Sequence, residues 1–298
     1  MGGVLLATPF QTLQSQLYCK CGLRIDCAKG GRVLNILYCG DANVCDGIFL
    51  SALSLAGQTQ RALHVFILTA DAGNHAAIPA SFAERLESAL QNSHADSRVT
   101  CIDISRQFDD YLPLANMGTR FTPLCMLRLF ADNVSEIPDR VLYMDADVMC
   151  RAPFDALYNL PMDAFEIAGV PDRYGKWFFG NIFRHDYLNS GVLLLNMRRI
   201  RESGLFAACR TMCRDKKMFM PDQTALNKLA VKKKLPRRYN EQGSIREDTV
   251  LKHFTTFFRF LPFFHAVTIK QWDTDKLHDD LGITEFDAII NEYTEKYK

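Results

Sequence analysis

A short acidic pair closes an apolar run in Leu142-Tyr143-Met144-Asp145-Ala146-Asp147-Val148. On an extended backbone, residues i and i+2 point to the same side. Asp145 and Asp147 can therefore both face one divalent cation where a buried strand emerges. Two hard oxygen ligands from one segment, with coordination positions left open, suit a metal that must also hold a diphosphate. The plain alternative is a solvated acidic turn, because D-x-D alone is a short pattern. The run before it favours chemistry, since it reads as a strand feeding a polar end.

Elements that would position this pair can be read upstream. Residues 33–38 form a mostly apolar run, followed by a polar loop at Gly40-Asp41-Ala42-Asn43. Residues 47–56 and 80–91 have helical spacing, and 63–68 and 98–102 read as buried strands. Strands alternating with helices imply a parallel sheet covered on both faces. Ligands of such sheets sit beyond the carboxyl ends of the strands. A helix over 124–133 leads into the strand 140–144 that carries the acidic pair. Downstream, 167–170 and 191–195 are strand-like, 197–213 and 222–231 helical, and 283–296 a closing amphipathic helix. Residues 1–31 have no period and read as an irregular N-terminal extension. Residues 32–298 then form one domain, with a C-terminal closing segment over about 235–298.

Composition narrows the classes. The 298 residues carry 35 Lys and Arg against 34 Asp and Glu, a net charge of +1. A nucleic-acid binder usually shows a basic excess, so that class is excluded. A chain of this length can bury roughly three quarters of its unfolded surface without covalent or metal staples. Ten cysteines spread over it, several in apolar stretches, fit reduced thiols in a cytosolic protein. Cys19, Cys21 and Cys27 lack the paired C-x-x-C spacing of a zinc site. Residues 1–10 are apolar but short and without a basic n-region, a poor signal peptide. The aromatic stretch 254–264 is broken by Arg259 and Pro262 and cannot span a bilayer.

Taken in order, the motifs resemble a known family. Arg128 followed by Val141-Leu142-Tyr143-Met144-Asp145-Ala146-Asp147-Val148 is similar to the retaining, metal-dependent glycosyltransferases of family 8. These include bacterial lipopolysaccharide glucosyl- and galactosyltransferases and glycogenin. Gly40-Asp41-Ala42-Asn43 resembles their nucleotide-binding D-x-N loop, and Leu188-Asn189-Ser190-Gly191-Val192-Leu193-Leu194-Leu195-Asn196 their N-[AS]-G-V strand. Pro221-Asp222-Gln223 resembles their D-Q pair, and Lys252-His253-Phe254 the H-[FY] that supplies a third metal ligand. The resemblance runs from about residue 33 to 273. It implies a GT-A fold: an α/β, Rossmann-like, mostly parallel sheet covered by helices, with a C-terminal subdomain. It also implies transfer of a hexose, glucose or galactose, from a UDP-sugar to a glycan or glycolipid hydroxyl, with retention.

Under that resemblance, Asp145, Asp147 and His253 would hold the metal. Two carboxylates and an imidazole favour Mn2+ over Mg2+, which prefers oxygen-only shells. Asp41, Asn43, Arg128, Ala146, Asp172, Ser190 and Gly191 would contact the donor, while Asn189, Asp222 and Gln223 would surround the reacting sugar. Each position also has a plainer reading. Asp41 and Asn43 suit a turn for local reasons, Arg128 a salt bridge with an acid, Asp222 a helix cap, and His253 a core histidine. His64 reads as a satisfied core residue; His75, His94 and His278 read as surface. His185 and His265 have no partner that the sequence names.

The chain departs from the family pattern at three places. Val44 stands where an aromatic usually stacks on uracil, and Met126 where a tyrosine precedes the helix arginine. The closing H-x-x-G-x-x-K-P-W segment is stretched, leaving Lys270 and Trp272, so Lys270 would bind the diphosphate on a mobile closing segment, with Arg259 its rival. The basic run 232–234 with Arg237 and Arg238 reads as a solvated face; beside the phenylalanines it could touch an anionic membrane carrying a lipid-linked acceptor. The sequence places the protein in the cytoplasm, at most peripheral to the inner face of the membrane, and specifies no oligomeric state. Two other activities fit the acidic pair. A metal-dependent nucleotidyl- or phosphotransferase is weakened by the lack of a G-x-x-x-x-G-K-[ST] loop. A silent glycan- or nucleotide-binding module would keep the fold without turnover.

Overall fold

The computed structural model describes residues 33–116, 123–175, 186–255, 257–259, 265–267 and 269–298. The N-terminal extension with Cys19, Cys21 and Cys27, the residue His185, and most of the aromatic stretch 254–264 lie outside these. So do the side chains of Arg259 and His265. Residues from Arg32 to Lys298 group as one compact unit.

The apolar runs form a seven-stranded sheet: β1 (Val33–Cys39), β2 (Ala62–Thr69), β3 (Arg98–Asp103), β4 (Arg140–Met144), β6 (Ile167–Pro171), β7 (Leu188–Asn196) and β8 (Lys232–Lys234), in the order β3-β2-β1-β4-β7-β6-β8. The separate β5 (Val148–Cys150) pairs antiparallel with β9 (Leu251–His253). A further two-stranded ribbon joins β10 (Phe257–Arg259) to β11 (His265–Val267). Strands β1 to β4 pair in parallel, but β7 runs antiparallel to both β4 and β6. The sheet is thus mostly parallel and mixed. Alternating helices and strands foretold the first half. The reversal at β7 has no periodicity signal, because a strand buried on both faces is apolar whichever way it runs.

Helices cover both faces. Alternate residues of each central strand feed different cores: Leu142 and Met144 of β4 pack with α1 (Cys45–Ala56) and α2 (Ala80–Ser93), while Val141 and Tyr143 face the opposite cluster. On the first side the terminal helices also close the core, through Leu277 and Ile290. Two short helices, α3 (Ser105–Asp109) and α4 (Asp155–Tyr158), fill connections. The segment Pro123–Asn133 winds as a 3-10 helix, not the α-helix its spacing suggested, and buries Leu124, Leu127 and Phe130. The expected helix over 197–213 is two: α5 (Met197–Ser203) and α6 (Leu205–Asp215). Gly204 separates them at φ 68°, a left-handed conformation that glycine adopts without steric cost and that closes the first helix. After α7 (Pro221–Leu229), the chain ends in α8 (Thr274–Leu281) and α9 (Asp287–Lys296). Among the described residues, no helix is long and apolar enough to cross a membrane.

The basic run 232–234 is β8, at the edge of the sheet, where charged side chains discourage further strand pairing. Lys232 donates to the Asn227 carbonyl at 2.9 Å, Arg237 pairs with Glu241 and Asp248, and Arg238 lies over the Tyr239 ring. These side chains are engaged within the chain.

Candidate metal centre and sugar pocket

The acidic pair lies where β4 ends, but not on extended backbone. Asp145 to Asp147 make a turn, with Val148 N donating to Asp145 O at 3.2 Å before β5 starts. Their convergence therefore comes from a turn, and not from the i, i+2 rule. Two ladders then bring the remaining groups. Val148 of β5 stands opposite His253 of β9, and Phe254 N donates to Asp147 O at 2.9 Å, so His253 arrives beside Asp147. On the other side, Met144 pairs with Val192 of β7, and Asp145 N donates to Gly191 O at 2.8 Å. Strand β7 so delivers Asn189, Ser190 and Gly191 to the same place.

One ligand atom from each of Asp145, Asp147 and His253 lies within 4.8 Å of the others. His253 Nε2 is 3.1 Å from Asp147 Oδ1 and 3.9 Å from Asp145 Oδ2. The buried Asp147 Oδ1 has no hydrogen-bond partner despite its closeness to the ring. The two groups face each other across a distance at which either could also meet a cation. Gly191 leaves the necessary space: a Cβ there would stand 2.8 Å from His253 Nδ1 and 2.9 Å from Asp145 Oδ2. Two carboxylates and one imidazole are a donor set that fits a divalent metal. Burial alone would raise the Asp147 carboxyl, yet His253 and Lys270 against it hold it well below the usual carboxylate range. Lys270 Nζ lies 2.5 Å from Asp147 Oδ2 and remains partly exposed.

Arg128 is buried behind the turn. It donates to Ser190 O at 2.6 Å and to Asp145 Oδ1 at 3.0 Å, and its Nε is 3.4 Å from Asp222 Oδ2. Its guanidinium stacks 4.2 Å over the Tyr143 ring, whose hydroxyl donates to Asp145 Oδ1 at 2.5 Å. The anionic partners the sequence demanded for Arg128 are thus supplied by the chain itself. Asp222 is not a helix cap: Met220 occupies that position, and Asp222 lies in the first turn. Burial raises the Asp222 carboxyl, with Asp145 nearby adding to the effect and Arg128 opposing it.

The polar side chains beyond Asp145, Asp147 and His253 form one network. Ser190 N donates to Gln223 Oε1 at 2.9 Å, and Gln223 Nε2 reaches Asp172 Oδ2 at 3.3 Å. Asn189 Nδ2 donates to the same Asp172 oxygen at 3.0 Å, and Tyr174 N holds the other at 2.8 Å. Asn240, fully buried, donates to Asn189 Oδ1 at 2.9 Å and faces His253 Nδ1 at 3.0 Å. Asp172, Asn189, Ser190, Asp222 and Gln223 therefore come together, joined to His253 through Asn240.

Asp41 and Asn43 lie in the loop after β1. Asp41 caps the 3-10 turn Ala42–Val44, accepting from Asn43 N at 3.1 Å and from its amide at 2.9 Å. This turn leads into α1, where Gly47 abuts the Ala146 carbonyl: a Cβ there would lie 2.6 Å from that oxygen. Gln271, fully buried, donates to the same carbonyl at 2.5 Å, so the closing segment packs on the acidic turn.

The sequence reading missed several neighbours. His75, read as surface, pairs with Asp41; its local sequence is polar, and the contact depends on tertiary folding alone. Tyr143 looked like core because it sits in an apolar run. Asn240 and Gln271 lie in stretches without period. Of the other described histidines, His278 bonds to Asp287 on the surface as read, whereas His64, bonded to Thr100 at 2.9 Å, and His94, bonded to the Ala56 carbonyl, are both half-buried.

The Glycosyl transferase family 8 profile matches residues 35–273. Two lipopolysaccharide 1,2-glucosyltransferases of Escherichia coli are similar, one (strain K12) 26% identical over 226 residues, the other 27% over 172. The matches take in 72% and 52% of this chain but only 64% and 49% of those proteins, less than two thirds of either. A crystal structure of galactosyltransferase LgtC, in complex with donor and acceptor sugar analogues, superposes with a TM-score of 0.64 at 17% identity, covering 87% of this chain and 96% of that one. This likeness establishes the GT-A type of fold expected from the motifs. The profile match spans the D-x-N loop, the acidic turn, β7, the D-Q pair and His253, and the chain belongs to glycosyl transferase family 8.

Proposed function

We propose that the protein is a metal-dependent, retaining glycosyltransferase that moves a hexose from a UDP-sugar to a hydroxyl of a glycan or glycolipid. The observation that carries this reading is the convergence of Asp145, Asp147 and His253 beside the buried network of Asp172, Asn189, Ser190 and Gln223. A divalent cation held by the three ligands would neutralise charge developing on the departing diphosphate. The named enzymes this chain resembles, lipopolysaccharide 1,2-glucosyltransferases, support a lipopolysaccharide-type acceptor.

The chain's own residues then have separable tasks. Arg128 balances Asp145 and Asp222 and, through the Ser190 carbonyl, fixes the strand beside the site. Asp172 is the carboxylate open to the donor or acceptor sugar, oriented by three donors: Asn189, Gln223 and Tyr174 N. Asn189 and Gln223 stand on either side of it as amide contacts for sugar hydroxyls, and Asp222 backs Ser190. Asp41 and Asn43 would meet the nucleoside, a role supported by their loop feeding the helix that abuts Ala146. Lys270 is the cation for the diphosphate, released from Asp147 when the donor enters.

The test is a panel of nucleotide sugars incubated with and without Mn2+, scored by release of free nucleoside diphosphate. Release from UDP-glucose or UDP-galactose only with metal supports the proposal. Consumption of a nucleoside triphosphate with no turnover of UDP-sugars refutes it in favour of nucleotidyl or phosphoryl transfer.

A further inference from the structure

Amide and imidazole orientations are set by the hydrogen bonds around them, and here unambiguous donors and acceptors fix every one. Gly191 N–H donates to an Asn189 side-chain atom at 3.0 Å, so that atom is Oδ1. Its other end must then be the amide nitrogen, and it faces Asp172 Oδ2, which can only accept. Asn240 contacts Asn189 Oδ1 at 2.9 Å, and so presents Nδ2 there. Its own Oδ1 is left facing His253 Nδ1 at 3.0 Å. A carbonyl oxygen accepts, so Nδ1 carries a hydrogen and Nε2 is the ring atom left to meet a cation. Nε2 lies 3.1 Å from Asp147 Oδ1, the buried oxygen without a hydrogen-bond partner.

We infer that Asn240 is the positioning residue of the metal centre: it sets the His253 tautomer that leaves Nε2 free to coordinate, and it ties that ring to the Asn189–Asp172 pair of the sugar pocket. The inference rests on the proposed metal-dependent transfer. A histidine ligand commonly donates its second ring N–H to a neighbouring acceptor, and loss of that acceptor lowers metal affinity by about 10- to 100-fold. Asn240 differs from a simple acceptor because its other end is committed. It is fully buried, and its backbone is pinned by its own N–H on Arg237 O at 2.9 Å. A shift of the sugar-pocket amides would be felt at the imidazole, and the reverse.

Two substitutions separate these tasks. Asn240→Ala removes both bonds and should weaken Mn2+ binding to the nucleotide-free enzyme, measured by calorimetry, by about 10- to 100-fold. Asn240→Asp keeps an acceptor for Nδ1–H but offers no donor to Asn189 Oδ1. It should recover most of the metal affinity while KM for the UDP-sugar stays raised. A residue that only supports folding would lower both properties together in both variants. Wild-type Mn2+ affinity in Asn240→Ala, or equal metal loss in the two variants, overturns the inference. If Asn240→Ala does not fold, nitrogen-15 NMR of the Mg2+-loaded wild type decides: a proton on His253 Nδ1 is expected, and one on Nε2 overturns the idea. A wild type that binds no metal removes the functional reading and this inference together, whereas metal binding with an unaffected Asn240→Ala removes only the inference.

Discussion

Gly191→Ala is the smallest change that tests the metal centre as packed. Its backbone cannot yield, because Gly191 sits in β7 and its carbonyl accepts from Asp145 N at 2.8 Å. The added methyl would overlap the Cε1 of His253 and lie 2.8 Å from Nδ1 and 2.9 Å from Asp145 Oδ2. Favourable contact needs about 3.5–4.0 Å, so the ring or the carboxylate must retreat by on the order of 1 Å. Ligand distances tolerate about ±0.2 Å, so the displaced group leaves the coordination sphere. Overpacking of this kind costs about 1–3 kcal/mol of stability, which the domain should survive. The effect on metal should be larger than the effect on folding: Mn2+ affinity should fall at least about tenfold, comparable with losing a ligand's supporting partner. Thermal melts with EDTA give the stability change, and calorimetry on the folded variant gives the affinity. A folded Gly191→Ala enzyme that binds Mn2+ like the wild type would refute the reasoning, because it would mean that the methyl and the ion do not compete for the same space.

Three more outcomes follow from the same contacts. Arg128→Met leaves Asp145 and Asp222 beside each other without their buried cation, a type of change that costs about 3–5 kcal/mol; a melting curve matching the wild type would contradict that role. Lys252 is buried, donates to the carbonyls of Gly243 and His253, and is pushed down by burial from 10.5 to about 8. Below pH 8 both folded and unfolded chains hold this proton. Between about pH 8 and 10.5 the unfolded chain holds more, so stability relative to Lys252→Met should rise with pH across that window. The lowering sets a ceiling of about 3 kcal/mol, and a flat difference in urea titrations would contradict the burial argument. Lys270→Ala removes the cation on Asp147, so Mn2+ should bind the nucleotide-free enzyme as tightly or more tightly while KM for the sugar nucleotide rises. Weakened metal binding would show that Lys270 instead organises the ligands.

Much of the site was legible because its chemistry sits at the ends of strongly patterned elements. Asp145 and Asp147 close an apolar strand, Asn189 to Gly191 open another, and Pro221 announces the helix carrying Asp222 and Gln223. What the sequence could not convey was how distant segments meet. The mixed direction of β7, the β5–β9 ladder that delivers His253, and the pairing of His75 with Asp41 are long-range choices that leave no local period. Tyr143 hid its hydroxyl inside an apolar run, although that hydroxyl holds Asp145. Asn240 was invisible for another reason: a buried amide matters only through its two partners, which are 51 and 13 residues away. The turn at the acidic pair shows the reverse case: the two carboxylates converge as expected, but from a turn and not from the extended geometry on which the expectation rested.

The central claim is that Asp145, Asp147 and His253 bind the metal on which transfer depends. It is tested most directly by comparing wild type and Asp147→Ala for Mn2+-induced thermal stabilisation and for UDP release from UDP-glucose and UDP-galactose. The account predicts that Mn2+ raises the wild-type Tm and switches on UDP release, and that Asp147→Ala, still folded, loses both. If Asp147→Ala keeps the stabilisation, or wild type releases UDP equally well in EDTA, the metal centre is not where these residues place it.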